Sequence, residues 1–286
     1  MNTRPILVSD FASAAAWNPF AIPEGDQIAA GAAALDTAEP LCRGLLESET
    51  ITMLSGAPAT FKSMFAYHMS RAIAAGEPFA GHPTRKTRVV YIDRENPRRT
   101  LATRAKLWPA PAGFFLWGSH HDPAFLPLPA LDSGNLKENR PPDLGSPTLT
   151  EWLCREPTLL ILDSFVRFHS EPETEAYRMA RVWDILRFHR NQGTTILLIH
   201  HTTTETSRPR GGSEVIAGAD LILHTSRPAP HLLLLIEQKN RDEPERQTAL
   251  TFSALGFEPS TATPRPTRRR RRPNANQPNL FREEGD

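Results

Sequence analysis

Cysteine is scarce: Cys42 and Cys154 are the only two, far apart and without metal-ligand spacing. That argues against a thiolate metal centre and predicts reduced thiols in a cytoplasmic protein. No apolar run approaches the ~18 residues of a membrane span. The N-terminus lacks a basic stretch followed by an apolar core, so no secretory signal is expected. An excess of charge of one sign is missing too. Lys and Arg number 33 and Asp and Glu 32, for a formal net charge of +1, so the chain as a whole carries no strong nucleic-acid signature. What is present is length and apolar content: 286 residues, 39% hydrophobic, enough for one sizeable α/β domain with chain left over for tails. Proline is abundant and clustered.

The most informative stretch is Ile51 to Ser63. Ile51 to Leu54 is a short apolar run expected to form a buried strand. It breaks at Gly56, turns through Ala57, Pro58, Ala59, Thr60 and Phe61, and reaches Lys62 and Ser63. Met64, Phe65, Met69, Ala72 and Ile73 then follow at helical spacing. Strand, tight loop, Lys-Ser and helix is the order of a phosphate-binding P-loop. Backbone N–H groups of the loop and of the helix N-terminus would face phosphate oxygens, with Gly56 to Ser63 as the binding segment. Lys62 would neutralise the β- and γ-phosphates, and the Ser63 hydroxyl would ligate Mg²⁺. The usual pattern has glycine where this chain has Phe61, so that side chain must point away from the phosphate, and a permissive backbone position is lost. An ordinary strand–turn–helix with a surface Lys-Ser is the alternative.

Further along, Arg88 to Asp93 reads as a buried parallel strand running into Asp93-Arg94-Glu95-Asn96-Pro97. Acidic residues at the C-terminal end of such a strand face the crevice where open α/β sheets bind ligands. Asp93 or Glu95 could hold a water for attack on a γ-phosphate; either could instead cap the helix expected from Pro97 to Leu107. Phe114 to Trp117 is a short strand candidate. Gly118 to Pro147 lacks periodicity and is expected to be a long loop; His120, His121 and Asp122 within it lack a second ligand cluster for a metal. Thr158 to Ser164 is an apolar strand ending in Asp163, the Walker B pattern, with Asp163 accepting from a Mg²⁺-bound water. Thr174 to Asn191 has a broad apolar helical face. Thr194 to Ile199 is another buried strand, ending in His200-His201-Thr202, where a His could face the nucleotide or merely cap the following loop. A polar loop, Thr203 to Gly212, precedes a short helix at Ser213 to Ala217. Strands are expected at Asp220 to His224, His231 to Glu237 and Thr248 to Phe252, with Gln238 to Asp242 as a basic turn.

The ends read differently from the middle. Residues 1–38 are Ala-rich without periodicity and are expected to form a flexible arm, 39–258 the folded domain, and 259–286 a disordered basic tail. Arg268 to Arg272 are an unbroken arginine run. Five arginines on a single strand would give a salt slope near about −3.5, or roughly 10²-fold weaker binding between 50 and 200 mM salt.

Taken in order, Gly56…Lys62-Ser63, Asp93…Glu95, Asp163, His200-His201 and a late Lys-x-Arg resemble the RecA-like ATPases, and within them the RepA-like hexameric ATPases and helicases. The resemblance spans about residues 40 to 255. It implies an α/β fold with a mainly parallel twisted sheet, and ATP and Mg²⁺ as cofactors. It implies Lys62 on phosphate, Ser63 and Asp163 on the metal, and Glu95 as the residue orienting the attacking water. His200-His201 would sit on the strand that couples nucleotide state to DNA-binding loops. Lys239 and Arg241 would be inserted into a neighbouring subunit's site. The implied protein is a DNA-acting ATPase, an oligomer such as a hexamer, binding single-stranded DNA without sequence preference, with helicase or replication-motor activity. Two other functions fit the residues: a nucleotide-gated DNA-binding assembly factor with little turnover, favoured by Phe61, and a P-loop kinase.

Overall fold

The computed structural model describes residues 40–118, 144–145, 147–169, 173–202, 213–240 and 246–261. The expected arm at 1–38, the expected tail at 259–286 from residue 262 onward, the histidines at 120 and 121, Arg241 and most of the loops at 118–147 and 203–212 lie outside these residues; Pro259, expected in the tail, closes a strand.

Among the described residues nine strands form one sheet. In chain order they are β1 (Ile51–Gly56), β2 (Arg88–Asp93), β3 (Phe114–Gly118), β4 (Thr158–Asp163), β5 (Thr194–His201), β6 (Leu221–Ala229), β7 (Leu232–Asn240), β8 (Gln247–Ser253) and β9 (Gly256–Pro259). Their spatial order is β3-β2-β4-β5-β1-β6-β7-β8-β9. Pairings from β3 through β6 are all parallel, and β6 to β9 continue as an antiparallel meander. The helices are α1 (Lys62–Ala75), α2 (Arg98–Leu107), α3 (Pro147–Leu153), α4 (Ala176–Asn191) and α5 (Ser213–Gly218), with a 3₁₀ turn at Phe165–Arg167.

The central strands read as continuous apolar runs because both of their faces are covered. Leu54, Tyr91, Ile161, Leu197 and Ile199 pack toward Phe65, Met69 and Ile73 of α1. Met53, Ile92, Leu160, Leu162 and Leu198 pack on the opposite face toward Trp183, Met179 and Leu186 of α4 and Leu149 of α3. Each such side chain, fully buried, contributes roughly 1.5–3 kcal/mol. Helix α1 stops where Gly76 adopts φ 77°, its N–H donating back to the carbonyls of Ala72 and Ile73, a left-handed cap that glycine supplies at least cost.

Three expectations change. The stretch Gln238 to Asp242 is not a turn from its start: β7 runs to Asn240, and Lys239 pairs with Ile222 of β6. Polar residues are tolerated in the strand there because Lys239 Nζ donates to the carbonyls of Ile216 (2.9 Å), Ala217 (3.0 Å) and Ala219 at the carboxyl end of α5. Strand β5 extends through both histidines instead of ending before them. Finally, β9 has no counterpart in the sequence reading; a four-residue strand with Phe257 as its one buried side chain shows too little alternation to be seen.

Candidate nucleotide site

The C-terminal ends of β1, β2, β4 and β5 meet at a cleft of about 390 Å³, lined by the loop from Pro58 to Met64 together with Glu95, Arg104, Asp163, Ile199, His201 and Arg227. This is the edge of a parallel sheet at which crossover loops leave room for a ligand.

The loop between β1 and α1 has the local geometry of an anion cradle. Ala59 and Phe61 both take positive φ, 62° and 65°, flanking Thr60. Left-handed residues alternating with ordinary ones turn successive N–H groups to one side. Phe61 is the N-cap of α1, no side chain caps that helix, and its first turn carries no acidic residue. The first N–H groups of a fourteen-residue helix are therefore left without a side-chain cap. For phenylalanine the left-handed conformation costs about 1–2 kcal/mol. Its ring is turned out of the cradle onto Phe252, at 5.0 Å between centroids, and beneath the Arg227 guanidinium at 4.3 Å.

Thr60 and Gly56 tie the loop to β6. The Thr60 hydroxyl donates to Ala57 O (2.8 Å) and lies 2.7 Å from the Thr225 hydroxyl, which donates to Ser55 O at 3.0 Å. A Cβ at Gly56 would stand 2.0 Å from Thr225 Oγ1 and 2.8 Å from Thr225 O. Gly56→Ala is therefore expected to cost about 1–3 kcal/mol of stability by overpacking, read as a lower urea midpoint. Adding Thr225→Ala should restore only part of it, because the clash with the Thr225 carbonyl remains.

Lys62 is the first residue of α1 and is 6% exposed. Its Nζ donates to Gly56 O (3.0 Å) and Ala57 O (2.7 Å). Burial pushes its ammonium below the ordinary lysine value, while the carboxylates of Asp163 and Glu95 pull it back up. Across the cleft, Asp93 and Asp163 are register partners on β2 and β4. Asp163 accepts from the Tyr91 hydroxyl at 2.8 Å. Burial first, then the neighbouring Asp93, push the Asp163 carboxyl up to about 7, against the Ser63 and Tyr91 hydroxyls that favour its charge. The oxygen donors of Ser63 and Asp163 suit a hard cation such as Mg²⁺. Among the described residues no cluster of three or more His, Cys, Asp or Glu could hold a metal by itself, so such an ion would need phosphate and water oxygens as well.

That raised pKa gives a stability prediction. Between about pH 4 and 7 the folded chain keeps a proton on Asp163 that the unfolded chain has released, so this group's contribution to stability falls as pH rises through that window. Asn cannot titrate. The stability of Asp163→Asn relative to wild type, from urea unfolding without nucleotide, should shift in the mutant's favour between pH 5 and pH 8. An unchanged difference would show that Asp163 ionises normally.

The two acidic candidates at the end of β2 separate cleanly. Asp93 is fully buried and turns the chain: it accepts from Glu95 N (3.0 Å), Asn96 N (2.7 Å) and Asn96 Nδ2 (2.8 Å). Glu95 is the one that faces the cleft. Burial alone would raise its pKa, but the Ser164 hydroxyl, His201 and Lys62 together hold it below the usual carboxylate value. Its Oε2 lies 3.2 Å from His201 Nε2. The histidines separate as well, by strand alternation. His201 lines the cleft, whereas His200 points through the other face of the sheet, 3.7 Å from Glu173 and against Phe165. Lys239, on the capping contact with α5, is not among the residues lining the cleft.

Sequence reading missed four participants: Tyr91 on Asp163, Arg104, Thr225 and Arg227. Tyr91 was within reach, since it shares a strand face with Asp93 two residues on. Arg104 reaches Asn96 Oδ1 (3.4 Å) and lies 3.9 Å from Asp93, one face of α2 that its sequence does not distinguish from solvent.

A family model described as AAA domain matches residues 18–207, well over half of the chain. The chain belongs to the AAA domain family. Among solved structures, the ATPase domain of G40P matches this AAA domain with a TM-score of 0.52 and 10% identity, over 74% of this chain and 85% of that one. At that identity the likeness concerns the fold, and the fold is that of a RecA-like P-loop ATPase. Comparison with curated proteins finds no match. No described helix of the AAA domain is long and apolar enough to cross a membrane.

Proposed function

We propose that this AAA domain is a Mg²⁺-dependent ATPase of the RepA-like type that acts on DNA as an oligomeric helicase or replication-associated motor in the cytoplasm. The observation that carries the reading is the convergence of Lys62, Ser63, Asp163, Glu95 and His201 on one cleft beneath an uncapped helix N-terminus. In the proposed reaction the backbone N–H groups of Ala57 and of Ala59 to Ser63, with the Lys62 ammonium, bind the phosphates. To do so Lys62 exchanges the carbonyls of Gly56 and Ala57 for phosphate oxygens. Ser63 and Asp163 would hold Mg²⁺, which neutralises charge on the transferring phosphoryl group. Glu95, kept ionised by Ser164, His201 and Lys62, accepts a proton from the attacking water. His201, beside it on β5 and one residue before Thr202, links the state of Glu95 to the segment that follows. His200 lies behind the strand and supports it.

Lys239 and Arg241 are proposed to act on a neighbour's site. Lys239 would then leave the α5 carbonyls on assembly, so specific activity should rise with protein concentration. The deciding experiment is steady-state ATP hydrolysis with Mg²⁺, with and without single-stranded DNA. Turnover stimulated by DNA supports the motor. ATP binding without turnover supports the second reading, a nucleotide-gated DNA-binding assembly factor, which the Phe61 loop and the inward contacts of Lys62 favour.

A further inference from the structure

One aromatic cluster beside the cleft has no part in that chemistry. Phe252 and Phe257 are register partners across the β8–β9 hairpin, with ring centroids 4.8 Å apart. Phe61 rests on both, at 5.0 and 6.3 Å. Arg227 closes the far side of the Phe61 ring, and its own guanidinium is fixed by the carbonyls of Pro230 (2.5 and 3.0 Å) and Ala59 (3.4 Å). The hairpin is itself anchored. Phe257 packs on Phe65 of α1 at 5.8 Å and on Phe79 at 6.1 Å, Phe252 lies 6.0 Å from the His68 ring, and Trp108 Nε1 donates to Ala254 O at 3.2 Å.

Glycine reaches positive φ unaided; phenylalanine there must be held by contacts elsewhere. Thr60 is held by β6, and Phe61, which is held by the hairpin, stands at the hinge between loop and helix. We propose that Phe252 and Phe257 are positioning residues of the nucleotide site: through Phe61 they hold the phosphate loop in its anion-accepting shape, so that the C-terminal β8–β9 hairpin sets nucleotide affinity. The proposal rests on the P-loop reading above for its ligand, but the coupling between hairpin and loop stands on the contacts alone. It also accounts for a bulky residue at a position that wants glycine, since with glycine the hairpin would have nothing to grip.

The test is a double-mutant cycle on the full chain, using Phe252→Ala, Phe61→Gly and the pair, with Phe252→Leu as the milder variant if alanine unfolds the hairpin. ATP·Mg²⁺ affinity is measured by calorimetry, and amide hydrogen exchange is followed at Ala59 to Ser63 without nucleotide. In the wild-type background, loss of Phe252 should weaken ATP binding about tenfold and speed exchange in the loop. In the Phe61→Gly background the same loss should change affinity less than about twofold and leave loop exchange unaltered. Equal effects in both backgrounds, or none in wild type, would overturn the proposal, because a merely structural hairpin acts irrespective of residue 61. If wild type fails to bind ATP while the exchange coupling is present, the P-loop reading fails and the brace survives.

Discussion

Replacing Lys62 with alanine is expected to reduce ATP hydrolysis by at least about 10²–10³-fold, to the level of a background control. The side chain is 6% exposed at the head of α1, close enough to Asp163 and Glu95 to feel both charges. A cation so placed is shielded from water, and a charge-assisted bond to phosphate there is worth more than on the surface. Some loss of affinity should accompany the loss of rate, because Lys62 meets phosphate in the bound state as well as in the transition state. The fold should survive. The carbonyls of Gly56 and Ala57 lose a donor, but Gly56 O keeps the Thr202 N–H at 3.2 Å and Ala57 O keeps the Thr60 hydroxyl at 2.8 Å. Steady-state hydrolysis, ATP titration and circular dichroism on the same preparation separate these outcomes. Unchanged hydrolysis in a folded mutant would remove Lys62, and the P-loop reading with it.

The second large effect belongs to Glu95. Glu95→Gln should lower turnover by about 10²–10⁴-fold, the range of a general base, while leaving ATP affinity within a few-fold of wild type. The amide is isosteric and can still pair with His201 Nε2, now 3.2 Å from the carboxylate, but it cannot accept the proton of an attacking water. The contrast with Lys62 is diagnostic: one variant impairs binding and rate, the other rate alone. Asp93→Asn is the control on the same strand end. Asp93 accepts three hydrogen bonds from Glu95 and Asn96, so its amide should disturb the turn and lower stability. If Asp93→Asn abolished turnover in a stable protein and Glu95→Gln did not, the roles of the two acids would be exchanged.

Most of the secondary structure was open to reading because it is written locally. β2 and β4 are uninterrupted apolar runs bounded by polar residues, and α1 begins at Lys62 and ends at Ala75, just before the breaker Gly76. The phosphate loop was legible for the same reason: strand, loop, Lys-Ser and helix are contiguous. Even Phe61, one of the loop's two positive-φ residues, stands out as a place where a glycine is missing. What the sequence left open were choices of direction. Asp93 against Glu95 is decided by a turn that buries the first and exposes the second. His200 against His201 is decided by which face of β5 lies on α1, and that follows from the pairing of β5 with β1 and β4.

Long-range contacts decided the rest. Phe61 is tolerable because β8 and β9, nearly two hundred residues later in the chain, deliver Phe252 and Phe257 to it. Lys239 belongs to a strand and not to a turn because α5 offers its carbonyl end. The sequence by itself determined the elements, their order and the residue types of the candidate site, since hydrophobic period, breakers and motif spacing act over a few residues. Only the tertiary structure decided which side chains share the cleft, because facing depends on strand register and on packing between segments far apart in the chain.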